Sequence, residues 1–364
     1  MPDILTAAIM DAEEATRQAR DAGLILQRAN PLNAETPMSA LNCAEITPNA
    51  QFYVRNHFPV PFPDGAGWQL TVTGSVENLL TYRLDDLYAM RSVARVVTLE
   101  CAGNNRVAFY PQAPGEQWRL GAVSTAEWTG VPLIEILNRA KPASGAREVL
   151  FRGADCGPVD GRPRTVFFER SLSLEDIADS NALLAYGMNG APLPSQHGYP
   201  LRVIVPGWYG VASVKWLTEI DVIDHAFNGY FQTEKYRYIR AGGGQSSTPV
   251  RHQRVRALIT EPVAGQVINC GEVTIRGLAW SGLAPVEGVR VRVGHRWHDA
   301  HLLGPPQPHR WRRWELHTRL EQPGNTTLRA RATDLAGRSQ PDHPQWNALG
   351  YGANPAHTVP IHIV

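Results

Sequence analysis

Ala241-Gly242-Gly243-Gly244-Gln245-Ser246-Ser247-Thr248-Pro249 separates two different patterns in this chain. A glycine and serine run closed by proline offers no apolar face to bury, so it reads as a linker over 241–249. No lysine follows it and no strand-to-helix setting surrounds it, which argues against a phosphate loop. Downstream, short apolar-alternating segments recur at 255–260, 273–280, 289–293, 311–318, 327–333 and 359–364. Glu287-Gly288, Pro323-Gly324-Asn325 and Ala336-Gly337 read as turns between them, and Asn325-Thr326-Thr327 as part of a turn. Regular short strands of this kind predict an immunoglobulin-like β-sandwich over 250–364.

Upstream, residues 1–240 read as a mixed α+β domain. Trp68 to Val76 alternates as a half-buried strand does, and 84–90 and 132–140 read as short helices. Ser173 and Asp176 have capping-box spacing at the start of another helix. Segments 149–153 and 201–206 read as strands, the second apolar enough to be buried on both faces. Met1 to Gly23 carries Asp11, Glu13, Glu14, Arg17, Arg20 and Asp21, which predicts a solvated helix and not an export signal.

With 364 residues, each half is long enough for its own core. Lys plus Arg (35) balances Asp plus Glu (34), which gives no reason to expect a nucleic-acid or acidic-membrane partner. No segment approaches the apolar length of a membrane span. The expectation is a soluble, cytoplasmic protein unless the chain is a processed form. Cys43, Cys101, Cys156 and Cys270 lie far apart with no C-x-x-C pair, so reduced thiols are expected in place of a zinc site or disulfide framework.

One thiol stands apart. Arg95-Val96-Val97-Thr98-Leu99-Glu100 predicts a strand that ends at Cys101, and Ala102-Gly103-Asn104-Asn105-Arg106 predicts the turn after it. A guanidinium close by favours the thiolate, the form that attacks carbon or binds metals. The residues themselves leave three possibilities open: a buried structural cysteine, a nucleophile and a soft metal ligand. Arg55-Asn56-His57, His197-Gly198-Tyr199-Pro200-Leu201-Arg202 and Ser213-Val214-Lys215-Trp216 add cations and donors beside glycine, proline or strand ends. Together they suggest an anion-binding pocket.

Four strings, Phe52 to His57, Glu100 to Arg106, His197 to Arg202 and Ser213 to Leu217, resemble in order the molybdenum-cofactor domain of the sulfite oxidase family. Gly277-Leu278-Ala279-Trp280-Ser281-Gly282, Trp311 to Trp314, Arg331-Ala332-Thr333-Asp334 and Gln345-Trp346-Asn347 are similar to that family's dimerisation domain. The resemblance implies molybdenum held by a molybdopterin dithiolene and by the thiolate of Cys101, a soft ligand suited to a sulfur-bound metal. It implies that Arg55, Asn56, His57, Asp155, His197, Arg202, Ser213, Val214 and Lys215 bind the cofactor, with Asp155 accepting from pterin nitrogens. Arg55, Arg106 and Tyr236 would line the substrate pocket, with Trp118 as a wall. Arginine forks suit an oxyanion such as sulfite.

The implied activity is oxidation of sulfite, or a similar small sulfur oxyanion, with electrons passed to an external acceptor such as a cytochrome. A twofold dimer through the second domain is also implied, with Trp280, Trp297, Trp311 and Trp314 supplying core or interface. The chain departs from the family in one respect: animal and plant sulfite oxidases place another arginine soon after a Trp-Asn pair, whereas Trp346-Asn347-Ala348-Leu349-Gly350-Tyr351-Gly352 has none. Nitrate reductases also lack a basic residue there, so reduction of nitrate or another oxo-compound is the alternative on this fold. From other classes come a Cys/His hydrolase, using Cys101 with His57 or His197 as base, and an adhesive binding module.

Overall fold

The computed structural model describes residues 8–43, 45–62, 67–239 and 247–364. Most of the expected linker therefore lies outside the described residues. Its last part, Ser247–Pro249, is a strand paired antiparallel with Arg237–Ile239.

Two five-stranded sheets build most of the first domain. One runs Val166–Ser173, Glu148–Gly157, Leu217–Ile223, Leu70–Gly74, Leu80–Tyr82, with only the Leu217–Ile223 and Leu70–Gly74 pair parallel. The other runs Ala191–Pro192, Leu183–Met188, Val123–Pro132, Val93–Glu100, and Arg202–Ile204 pairs with Leu183–Met188. Helices Leu84–Tyr88, Leu133–Ala140 and Leu174–Ser180 lie near the positions expected. Ser173 caps the last of them by accepting from the Asp176 backbone N–H at 3.0 Å. The N-terminal helix, Ala12–Asp21, is less solvated than its charges suggest. Ala15, Thr16 and Ala19 are buried, and the two alanines pack with Leu24, Leu32, Ala34 and Val54.

The second domain is a sandwich. A four-stranded sheet (Arg256–Glu261, Gly271–Trp280, Arg312–Leu320, His301–Leu302) faces a five-stranded one (Val267–Ile268, His357–Ile363, Gly324–Asp334, Val286–Val293, Arg296–Asp299). Ile275, Trp314 and Leu316 from the first interdigitate with Val289, Val291, Leu328, Ala330 and Ile361 from the second. Two expected turns are strand instead. Glu287-Gly288 sits at a register shift inside Val286–Val293, so glycine marks a bulge there. Asn325, Thr326 and Thr327 pair with His362, Ile361 and Pro360, where β-branched threonines suit the pleat.

Trp314 belongs to the sandwich core, but Trp280 and Trp311 do not. They pack with Leu258 and Leu278 against Leu41 and Val123 of the first domain, forming an apolar seam. Trp297 is half-buried on the outer face, near the guanidinium groups of Arg290, Arg292 and Arg331. Among the described residues no helix is long and apolar enough to cross a membrane.

Candidate functional site

The strand Val93–Glu100 delivers the central thiol. Val97 and Leu99 bury one face in a cluster that also contains Cys101. The Cys101 N–H donates to Ala122 O at 2.9 Å, and the chain then turns, with Asn104 N–H donating back to Cys101 O at 2.9 Å. Asn105 takes a left-handed conformation at φ 62°, which asparagine tolerates better than most residues. Cys101 itself is only 6% exposed. Burial pushes its thiol up, against the pull of Arg55 and Arg106 in the other direction. The neighbouring guanidinium groups thus favour the thiolate, as expected from the sequence, but desolvation outweighs them; a bound cation would reverse that balance. Cys101, Cys156 and Cys270 are all free.

Two cavities meet at this sulfur, sharing Arg55, Asn56, His57, Cys101 and Tyr236. The first, about 640 Å³, adds Asp155, His197, Arg202, Ser213 and Lys215 together with Phe52 and Tyr53. Residues 159 positions apart in sequence are joined here: Lys215 Nζ donates to Asn56 Oδ1, and also to the nearer Gln196 O at 2.9 Å. Arg202 donates to His197 O at 2.8 Å and to Ser213 O at 3.1 Å, with its guanidinium over the Trp128 ring. The Ser213 hydroxyl accepts from Val205 N–H at 3.1 Å.

This chamber is short of negative charge. Burial brings Arg202 down to about 10 and His197 to about 3, the latter helped by Lys215 and Arg202. Burial also holds Lys215 well below the usual ammonium range, with Arg202 adding to the effect. The carboxylate in the chamber is Asp155, raised to about 7 by burial against the pull of Lys215. Arg202 Nε and Asp155 Oδ1 are buried without a partner. A Cβ on Gly153 would fall 2.5 Å from that Oδ1 and 2.6 Å from Lys215 O, so glycine keeps the space beside the carboxylate open. Such a chamber suits a ligand with an anionic group for the cations and N–H donors for Asp155. A phosphorylated pterin has both, and its dithiolene would share a metal with Cys101. Among the described residues no three His, Cys, Asp or Glu side chains converge, so a metal at Cys101 takes its other ligands from such a group.

The second cavity, about 1100 Å³, adds Arg106, Trp118, Glu116, Lys235, Leu349 and Tyr351. The Tyr236 hydroxyl and His57 Nε2 share a hydrogen bond of 2.8 Å. Burial, with Arg55, Lys215 and Lys235, holds His57 well below its usual value, and burial pushes the Tyr236 phenol up. Both groups are therefore neutral at ordinary pH. Phe168 stacks on the imidazole at 4.9 Å and Phe231 meets its edge at 4.7 Å, which fixes the ring. Tyr351 stacks on Tyr236 at 4.8 Å, with Arg106 over the Tyr351 ring at 5.2 Å.

Arg106 is more committed than its expected role implied. It donates to Gly350 O at 3.0 Å, Glu116 O at 2.8 Å and Leu349 O at 3.3 Å, leaving two of its five N–H groups for a ligand. A Cβ at Gly103, Gly115 or Gly350 would come within 2.8 Å of it. Thus Arg55, Asn56, His57, Cys101, Arg106, Trp118, Asp155, His197, Arg202, Ser213, Lys215 and Tyr236 all line one or both cavities. Val214 does not: its side chain lies in the core, and its carbonyl accepts from Val203 N–H at 2.8 Å. Leu349, Gly350 and Tyr351 were missed as site residues. The sequence signal available was the missing arginine in that segment, and it says nothing about the backbone that reaches Arg106.

The described geometry has counterparts among known proteins. Residues 57–231 match the family model described as the oxidoreductase molybdopterin binding domain, and residues 248–364 the Mo-co oxidoreductase dimerisation domain. The mitochondrial sulfite oxidase of Mus musculus is 34% identical over 95% of this chain, which spans 66% of that protein's length. The sulfite oxidase of Arabidopsis thaliana is 30% identical, with 93% of this chain and 94% of that protein covered. The crystal structure of the sulfane dehydrogenase SoxCD from Paracoccus pantotrophus superposes with a TM-score of 0.78 at 27% identity, covering 90% of this chain and 83% of that one.

Proposed function

Since the chain belongs to the sulfite oxidase family of molybdopterin oxidoreductases, we propose that it oxidises sulfite, or a similar small sulfur oxyanion, and passes the electrons to an external acceptor. Sulfite and water yield sulfate, two electrons and two protons. The observation that carries this reading is the meeting of two cavities at Cys101, one short of anions and the other lined by Arg55, Arg106 and Trp118. Molybdenum held by the pterin and Cys101 supplies the two-electron oxygen-atom transfer.

The chain's own residues do the rest. His197, Arg202 and Lys215 hold the anionic end of the cofactor, and Asp155 accepts from its ring nitrogens. Arg55 and the free N–H groups of Arg106 would bind the oxyanion in the second cavity, which Cys101 also lines. Neutral Tyr236 and His57 add no negative charge beside the substrate oxygens, and with His57 Nε2–H donating to the phenol oxygen the Tyr236 hydroxyl is left to donate to the substrate. The second domain joins two copies of the chain, as the matched dimerisation model suggests.

Purified protein assayed with sulfite and an artificial acceptor, alongside metal and pterin analysis, tests the proposal. We expect about one molybdenum per chain and sulfite-dependent reduction of the acceptor. Molybdenum without sulfite turnover, but with nitrate reduced from an artificial donor, would transfer the site to the reductive alternative. Full activity without metal would make Cys101 a nucleophile.

A further inference from the structure

We infer that Trp280 and Arg256 of the second domain are positioning residues for the Cys101 thiolate, acting through Glu100. The inference rests on Cys101 being the metal ligand. Glu100 precedes it in the chain and is 1% exposed; Arg256 is 3% exposed. Both charges are out of water at the seam between the domains.

The carboxylate is held from both sides. Trp280 Nε1 donates to Oε2 at 2.9 Å, while Asn104 Nδ2, on the far side of the turn, donates to Oε1 at 3.1 Å. Arg256 Nε lies 3.4 Å from Oε1. Glu100 and Asn104 therefore bracket Cys101, and Asn104 Oδ1 in turn accepts from Ala122 N–H at 3.2 Å. The other end of the Arg256 guanidinium donates to Ala353 O. That same segment touches the turn again: Gly352 N–H donates to Ala102 O at 2.7 Å, and Gly350 O accepts from Arg106. The second domain thus grips the turn on either side of the sulfur, at residues 100, 102 and 106.

Buried ion pairs seldom add net stability over apolar packing, because desolvation offsets the attraction. The surrounding seam of Leu41, Val123, Leu258, Leu278 and Trp311 shows that apolar packing is available at this place. What the pair adds is direction. Hydrogen bonds to a carboxylate fix the end of the strand, and with it the origin of the Cys101 side chain, more tightly than packing does.

The test compares Trp280→Phe with Trp311→Phe. Trp311 lies in the same seam and also loses one N–H bond, to Glu45 O at 2.8 Å, but its indole donates to Glu45 and not to the turn. In the apoprotein, alkylation of each cysteine by iodoacetamide is followed by peptide mass. In the holoenzyme, the thiolate-to-metal charge-transfer absorption and the separate kcat and KM are measured. We expect Trp280→Phe to raise the Cys101 alkylation rate about tenfold, leave Cys156 unchanged, shift the absorption band and lower kcat more than KM. Trp311→Phe should do none of these. Equal behaviour of the two variants, or an unmoved band and alkylation rate in Trp280→Phe, overturns the inference. Glu100→Gln, which keeps an acceptor for Trp280 but removes the charge facing Arg256, should move the same readouts and serves if Trp280→Phe does not fold. If neither folds while Trp311→Phe does, the network serves folding alone and the inference fails. Absence of molybdenum from the wild-type protein would defeat the functional proposal, while the alkylation comparison would still read the grip on the turn.

Discussion

Around the first cavity Arg202 and His197 lie buried and Lys215 half-buried, with Asp155 as the facing carboxylate, whereas the sandwich keeps valine, isoleucine, leucine and Trp314 between its sheets and most of its ion pairs toward solvent. There Arg329 meets Asp342 at 3.1 Å and Arg290 meets Asp299 at 3.3 Å, on the solvent side. Both domains fold on apolar cores, but the first gathers desolvated cations around a cavity with Asp155 as their carboxylate, whereas the buried Arg256 of the second faces Glu100 directly. A buried charge without a partner is costly until one arrives. The first domain is thus shaped by what it holds, and the second by how it packs.

The sharpest way to break this contrast is at the sulfur. Cys101→Ser should reduce molybdenum content to background and turnover by at least about a thousandfold, while the thermal transition of the sandwich stays in place. Lys215→Met should follow in size. It removes a cation from the anion-poor chamber, so pterin retention after gel filtration should fall about 10-fold or more, yet the apoprotein should be at least as stable as wild type in thermal scans. A less stable apoprotein would mean the cations already support the fold. In the second domain Ile275→Ala removes a fully buried side chain from between the sheets, and should lower unfolding free energy by about 2–5 kcal/mol with KM unchanged.

The smallest effect concerns pH. His197 is neutral in the folded apoprotein, with its value lowered from 6.5 to about 3, so the stability this gives above pH 6.5 is lost as pH falls toward 3. The slope is up to about 1.4 kcal/mol per pH unit. Asp155, raised from 3.8 to about 7, tilts the overlapping window the other way, with stability lost as pH rises. The difference between wild type and His197→Gln in denaturant titrations is therefore the measure. Bound cofactor should shrink it, since an anion beside the imidazole favours its protonated form.

Much of this was legible in the sequence because it is local. The strand to Cys101, the turn after it, the Ser173 cap and the sandwich strands each depend on neighbours along the chain. Residues brought together across the chain were legible as a set, from their shared donor chemistry and the resemblance of four ordered strings, but the bond between Asn56 and Lys215 has no spacing that says so. Three things escaped. Glycine at Gly288 reads as a turn in sequence but acts as a bulge once a neighbouring strand supplies the register. Trp280 and Trp311 alternate as core residues do, yet which core they enter depends on how the domains meet. Arg106 has the form of a ligand-binding fork, but its partners are backbone carbonyls, which are the same for every sequence.

Arg106 and Gly350, now in contact, are separated by 244 positions. During synthesis the turn around Cys101 emerges long before the segment that closes over it, and an early-folding first domain has an unfinished wall on its substrate side. Closure of the chamber is accordingly tied to synthesis of the second domain: a nascent chain can collapse around its first core, but the wall at Arg106 is complete only after the segment that carries Gly350 has been made and docked.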